Sequence, residues 1–294
     1  MFKFTSQNSE KIHDEYMGNK KTGVRTNFHT HTCFCDGVDT PRAIVLEAIK
    51  KGFTTIGFSG HSYTPFDNKY CMNKRTEKEY IKCINKLKKE FSNDINIYCG
   101  IEQDFYSEED YSCFDYRIGS VHYIYKDGIY IPVDKSPEDF KKNVKNFYGG
   151  DIYAFILDYY ETVSNVVLKT NCEIIGHFDL ITKFNENDRL FDTSNPVYIK
   201  AWEKALEKLI PENRIFEINT GAISRGYRKT PYPSYEILKK IKLMGGKVTV
   251  SSDSHEKNTI DFYFDKIFKL LKVIGFEEYY ILNEKGVEAV PIKK

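Results

Sequence analysis

The stretch KVTVSSDSH, residues 247–255, runs from a β-branched segment directly into an acid and an imidazole. Valine and threonine fit a pleated strand, and a continuous strand of this kind suits a sheet covered by helices. Four other segments end the same way: FHTH at 28–31, GFSGH at 57–61, GSVH at 119–122 and IIGH at 174–177. Further strand candidates are INIYCGIEQDF at 95–105 and RIFEIN at 214–219. Helical spacing fills the intervals. Thr40-Pro41 reads as an N-cap followed by proline at the first helical position, with Gly52 as the stop. TEKEYIKCINKLKKEF at 76–91, a start at Ser136-Pro137-Glu138-Asp139, and stretches near 151–169, 196–209, 234–244 and 260–273 supply the rest. Seven strand–helix cycles without a linker or repeat predict an α/β barrel in preference to a doubly wound sheet, with functional groups at the C-terminal strand ends.

Composition sets bounds on function. The 294 residues suffice for one large domain, and 43 Lys+Arg against 42 Asp+Glu leave a formal charge of +1. That balance offers no broad nucleic-acid surface. No run approaches a membrane span, and the opening MFKFTSQNSEKIHDEYMGNKKTG lacks the apolar block of a secretory signal. The seven cysteines, at 33, 35, 71, 83, 99, 113 and 172, form no C-x-x-C pair and read as reduced thiols. A cytoplasmic protein is expected, and the oligomeric state stays open.

The histidines carry the chemistry. Apart from His13, they are His29, His31, His61, His122, His177 and His255, and each falls where a predicted strand ends. Carboxylates stand at similar points: Asp36, Glu102, Asp104, Asp179, Glu217 and Asp253. His29 and His31 share one strand face, and Asp253 and His255 repeat that spacing. So many donors exceed the needs of one tetrahedral ion. They suit two or three divalent ions with mixed nitrogen and oxygen ligation, namely zinc, iron or manganese.

The ordered set FHTHTCFCDG, GFSGHSYTPFD, GIEQDFY, DYRIGSVHYI, IIGHFDLITKFN, FEINTGAISRGYRKTPYP and SSDSHE spans residues 28–256. It resembles the polymerase-and-histidinol-phosphatase (PHP) family of metal-dependent phosphoesterases, and within it the monofunctional histidinol-phosphatase branch. The resemblance implies a distorted seven-stranded (β/α)7 barrel over residues 24–294 after an extension at 1–23, with a trinuclear centre. It maps the metal residues to His29, His31, His61, Glu102 as the bridge, His122, His177, Asp253 and His255. Many relatives carry a histidine eight positions after the first; here that position is Gly37, and Asp36 is the expected substitute.

Asp253 and Arg225 are the candidates for catalytic roles, Asp253 more readily as a ligand than as the acid. Arg225 is the expected phosphate clamp, because a guanidinium grips two oxygens at once. Arg228, Lys183 and Arg189 are further candidates for substrate contact. Asp104, Glu217, Asp67 or a tyrosine could receive a substrate amine, and Glu217 could instead support a metal histidine. By resemblance the substrate is L-histidinol phosphate, a small phosphorylated metabolite of histidine biosynthesis. Rival readings are another small phosphate ester, a phosphotyrosine protein, a nucleic-acid strand, or a metal-binding scaffold without turnover.

Overall fold

The computed structural model describes residues 24–292, so the extension expected at 1–23 lies outside the described residues. Seven parallel strands form the main sheet: β1 (Thr26–Asn27), β2 (Thr55–His61), β3 (Asn96–Asp104), β4 (Tyr116–Ser120), β7 (Ile174–Ile175), β8 (Ile215–Asn219) and β9 (Lys247–Ser251), in that order. Beyond the end of β1 the chain meets the chain beyond β9. A parallel bridge joins Thr30 and Ser254, with His31 N donating to Ser254 O at 2.8 Å and Ser254 N to His29 O at 3.3 Å. Asn27 reinforces the seam, its amide donating to Ser252 Oγ at 2.6 Å. The sheet is a nearly closed, distorted (β/α)7 barrel, as the sequence predicts.

The helices begin where local chemistry starts them. Thr40 caps α1 (Pro41–Lys50) by accepting from Ala43 N, and Gly52 turns the chain with φ 73°. Asn73 and Thr76 form a capping box for α2 (Lys74–Glu90). Ser136 caps α3 (Pro137–Tyr148), and the long region that follows divides at Asn165 into α4 (Ile152–Ser164) and α5 (Val166–Thr170). Later come α6 (Pro196–Leu209), the single turn α7 (Gly221–Ser224), α8 (Tyr235–Leu243) and α9 (Phe264–Ile274).

Strand alternation sorts the core into two parts. Ile56, Phe58, Ile101, Phe216, Ile218, Val248 and Val250 belong to the large layer shared with the helices. Phe28, Tyr116, Ile118, Ile174 and Ile215 fill the lower interior of the barrel. Tyr116 crosses that interior to donate to the carbonyls of Phe28 and Phe58 at 2.5 and 3.1 Å. A Cβ on Gly57 or Gly100 would come within 2.4 or 2.2 Å of the Tyr116 side chain, so both positions must be glycine. The next inward positions upward are polar: His61 and Glu102 sit in register on β2 and β3.

Three features depart from uniform cycles. The β3–β4 connection has no helix. A hairpin, β5 (Tyr123–Lys126) and β6 (Ile129–Pro132), turns at Asp127-Gly128, both with positive φ, and rises beside the mouth. A second hairpin, β10 (Glu278–Asn283) and β11 (Gly286–Pro291), packs Tyr279, Ile281, Leu282 and Val290 against the lower interior.

Candidate metal centre

All six strand-end histidines meet at the C-terminal mouth. On the deep side His29 Nε2 and His31 Nε2 stand 3.1 Å apart, and Asp253 Oδ1 lies 3.3 Å from His31 Nε2. Donor atoms bound to one tetrahedral zinc lie about 3.3 Å apart. In the middle, Glu102 places Oε2 2.9 Å from His61 Nδ1, while Oε1 lies 2.9 Å from His177 Nε2 and 3.4 Å from His122 Nε2. At the rim, Asp36 Oδ2 lies 3.2 Å from His255 Nε2 and 3.7 Å from His61 Nε2, and Asp36 Oδ1 lies 3.6 Å from His31 Nδ1. Among the described residues three groups of donors could thus each hold an ion: His29, His31 and Asp253; His61, Glu102 and His122; and His31, Asp36, His61 and His255. Together they can coordinate two or three divalent ions.

The donor chemistry fits cations. Glu102 is buried, and its Oε2 accepts no hydrogen bond although the imidazole nitrogens of His61, His29 and His31 lie 2.9, 3.3 and 3.5 Å away. A buried carboxylate left so is costly unless a cation compensates it. Burial would raise the Glu102 pKa, but His61, His29 and His122 outweigh it and hold the group well below the usual range. Burial opposes charging of His29 and His61, yet the surrounding carboxylates prevail and raise both. His31 is pushed down to about 3, first by burial and then by His255 and His61, which leaves its nitrogens as neutral donors.

Carboxylates behind the imidazoles fix several of them. Glu217 Oε1 meets His29 Nδ1 at 2.6 Å, and Glu217 Oε2 accepts from His177 N and Asn219 Nδ2 at 2.9 and 3.0 Å. Asp104 Oδ2 lies 3.2 Å from His122 Nδ1. Such partners set the ring orientation and tautomer of a metal histidine. Both carboxylates were open candidates for a substrate amine, and both are engaged here. Asp253 adopts a left-handed φ of 48°, with its carbonyl accepting from Arg225 Nη1 at 2.9 Å and its Oδ2 from Arg225 Nη2 at 3.0 Å. A Cβ on Gly221 would lie 2.7 Å from Arg225 Nη2 and 2.9 Å from Asp253 Oδ2, so Gly221 makes room for that pair.

The departure at position 37 has a steric cause. A Cβ on Gly37 would meet Thr32 N at 2.6 Å and the carbonyl carbon of His31 at 2.7 Å, so no side chain fits there. The neighbouring Asp36 supplies the rim group instead. Cys35 Sγ lies 3.6 Å from His31 Nδ1, and Cys33 is exposed. Neither belongs to a donor group.

A cavity of about 330 Å³ opens over the cluster. Of the expected substrate cations it brings in Arg225 and Lys183. Lys183 Nζ is tied to Asp134 O and Oδ2, both at 2.9 Å. Arg228 is buried under a separate groove, where it donates to Thr182 and Thr230 and lies 3.8 Å from Asp179. Arg189 is exposed and lines neither space.

The sequence pattern of the PHP domain family matches residues 27–221. The chain belongs to this family. The matched segment ends before Asp253 and His255, which the barrel returns to the same mouth. This PHP domain is 28% identical over 265 residues to the Schizosaccharomyces pombe protein named "Probable histidinol-phosphatase", covering 83% of each chain. It is 27% identical over 262 residues to the histidinol-phosphatase of Bacillus subtilis, covering 81% of this chain and 96% of that one. In fold it is similar to the Lactococcus lactis histidinol phosphate phosphatase solved with zinc, L-histidinol and phosphate: TM-score 0.66 at 23% identity, covering 90% of this chain and 98% of that one. Among the described residues no helix is long and apolar enough to cross a membrane.

Proposed function

We propose that this PHP domain is a metal-dependent histidinol-phosphatase, hydrolysing L-histidinol phosphate to L-histidinol and inorganic phosphate. The observation that carries the reaction class is the convergence of six imidazoles and the Glu102, Asp253 and Asp36 carboxylates beneath one small cavity walled by Arg225. The names of the relatives, which it matches over most of their length, supply the substrate.

His29, His31, His61, Glu102, His122, His177, Asp253, His255 and Asp36 are the proposed metal-holding residues. Divalent ions bound there would offset the charge of a phosphate dianion, lower the pKa of a water and ease departure of an alkoxide. The chain's own side chains prepare that event. Arg225, already aimed by its two bonds to Asp253, turns its remaining N–H groups toward non-bridging phosphate oxygens. Burial would raise Asp253, but Arg225, His29, His31 and His255 hold it well below the carboxylate range, which suits a ligand to a cation. Lys183 gives the cavity a second cation, held in place by Asp134. We place the enzyme in the cytoplasm, the compartment in which its seven free thiols persist.

The test is phosphate release by the metal-loaded protein from histidinol phosphate, several sugar phosphates, phosphotyrosine and single-stranded DNA. The highest kcat/KM should belong to histidinol phosphate. A higher value for another substrate would move the reading to that substrate, and no turnover on any would leave a metal-binding scaffold.

A further inference from the structure

Among the described residues five carboxylates line the cavity: Asp36, Asp67, Glu102, Asp134 and Asp253. Four have a cationic or imidazole partner: Asp36 has His255, Glu102 has His61 and His177, Asp134 has Lys183, and Asp253 has Arg225. Asp67 has none among the described residues. Its side chain accepts one hydrogen bond, from Tyr123 Oη to Oδ2 at 3.0 Å, which leaves Oδ1 open.

Asp67 is nevertheless built into place. Its N–H donates to Thr64 O at 3.2 Å, and Thr64 Oγ1 donates back to Asp67 O at 2.7 Å. Next to it, Phe66 stacks on Tyr130 of the β5–β6 hairpin, with centroids 3.7 Å apart and planes at 10°. Phe66 also meets Tyr123 edge-on at 4.9 Å. The loop after β2 is closed at its far end by Met72 N donating to His61 O at 3.1 Å. A loop fastened at both ends and along its middle thus presents one uncompensated carboxylate to the cavity. It stands on the wall with Tyr70 and Tyr123, while Arg225 stands among the metal-site residues.

We infer that Asp67 is the specificity residue that receives the ammonium group of the substrate, an inference resting on the histidinol-phosphatase reading. The substrate carries a phosphate at one end, an imidazole at the other, and a primary ammonium on the carbon between their two methylenes. Arg225 and the metal-site residues suit the phosphate, and among the described cavity residues Asp67 alone offers an unpaired anion to the ammonium. An ammonium is a compact donor of three hydrogen bonds, which suits a carboxylate with an open oxygen. At about pH 7.5 a free imidazole is mostly neutral, so the ammonium is the charge to be matched.

The experiment compares the metal-loaded full chain with its Asp67→Asn variant on two substrates, L-histidinol phosphate and 3-(imidazol-4-yl)propyl phosphate, which lacks the amine. The variant should lose about 10- to 50-fold in kcat/KM on the first and less than about threefold on the second, the scale of one charge-assisted hydrogen bond. Calorimetric binding of L-histidinol should weaken by a similar factor while metal content stays unchanged. Equal losses on both substrates, or no loss on either, would overturn the role of Asp67. Failure of the unaltered protein to turn over histidinol phosphate would instead remove the parent reading.

Discussion

The deep and rim ends of the histidine cluster use the same residue types and are built differently. At the deep end His29 is fully buried, Glu217 holds its far nitrogen, and Asn219 and the His177 backbone hold Glu217 in turn. At the rim Asp36 and His255 have side chains 32% and 26% exposed. Asp36 is steadied by the imidazoles it faces, and among the described residues no backbone or amide donor holds it. One end is shaped before any ion arrives, whereas the other depends on its occupants. The rim ion should therefore exchange first and matter least.

The largest break in this comparison should come from Glu102→Gln, because Glu102 touches histidines of both the deep and middle groups. Activity should fall about 1000-fold or more, beyond the roughly 100-fold ceiling for an outer partner, and metal analysis should find fewer ions per chain. Full metal content with near-normal turnover would remove Glu102 from its bridging role. Arg225→Ala comes next. It should cost about 2–4 kcal/mol, roughly 30- to 1000-fold in kcat/KM, with metal content intact at saturating metal. Unchanged kinetics would pass the clamp to Lys183.

Glu217→Gln tests the outer support alone. Metal affinity should drop about 10- to 100-fold, with activity restored by excess metal. If affinity holds, the deep end is not anchored through Glu217. Asp36→Asn should be milder still: one ion fewer, and less than about tenfold in kcat at saturating metal, if an outer partner's range bounds a rim ligand. A collapse to background would show the rim to be as essential as the depth.

The pH dependence sharpens the contrast without mutation. In chelated protein the raised pKa values of His29, His61 and His122 stabilise the fold fully below about pH 6.5, and that share is lost as pH rises through them. The depressed Asp36, Glu102 and Asp253 stabilise it above about pH 4.5 and lose their share as pH falls. These groups favour the chelated fold between those limits, while His31, lowered to about 3, acts against it as pH falls below about 6.5. Ions need unprotonated imidazoles, so the gain in Tm on metal loading should be larger at pH 8 than at pH 6. An equal gain at both would mean the histidines enter already neutral.

Much of this site was legible because its residues sit at strand ends, a position that hydrophobic pattern locates well. His61, His122 and His177 each follow a short apolar run, and their shared position announced a common mouth. The cations were not legible in the same way. Arg225 and Arg228 lie three apart in one loop, yet the second is drawn under Tyr232 toward the buried Asp179. Lys183 is taken by Asp134, which is 49 residues away. Such pairings arise only once the chain has folded. The β5–β6 hairpin did carry a local signal, Asp127-Gly128 between apolar runs, and it bears on the site because Tyr130 holds Phe66 beside Asp67.

The barrel's seam has a mechanical consequence. Among the described residues β1 and β9 share no ladder, and the backbone bonds joining their extensions belong to His29, His31 and Ser254. The side chains of His29 and His31 face Asp253 across the same gap. An ion held there would rivet the first strand to the last. Loading the centre and latching the cylinder would then be a single act, and the amide protons of His31 and Ser254 would be the first to trade with solvent when the rivet is drawn.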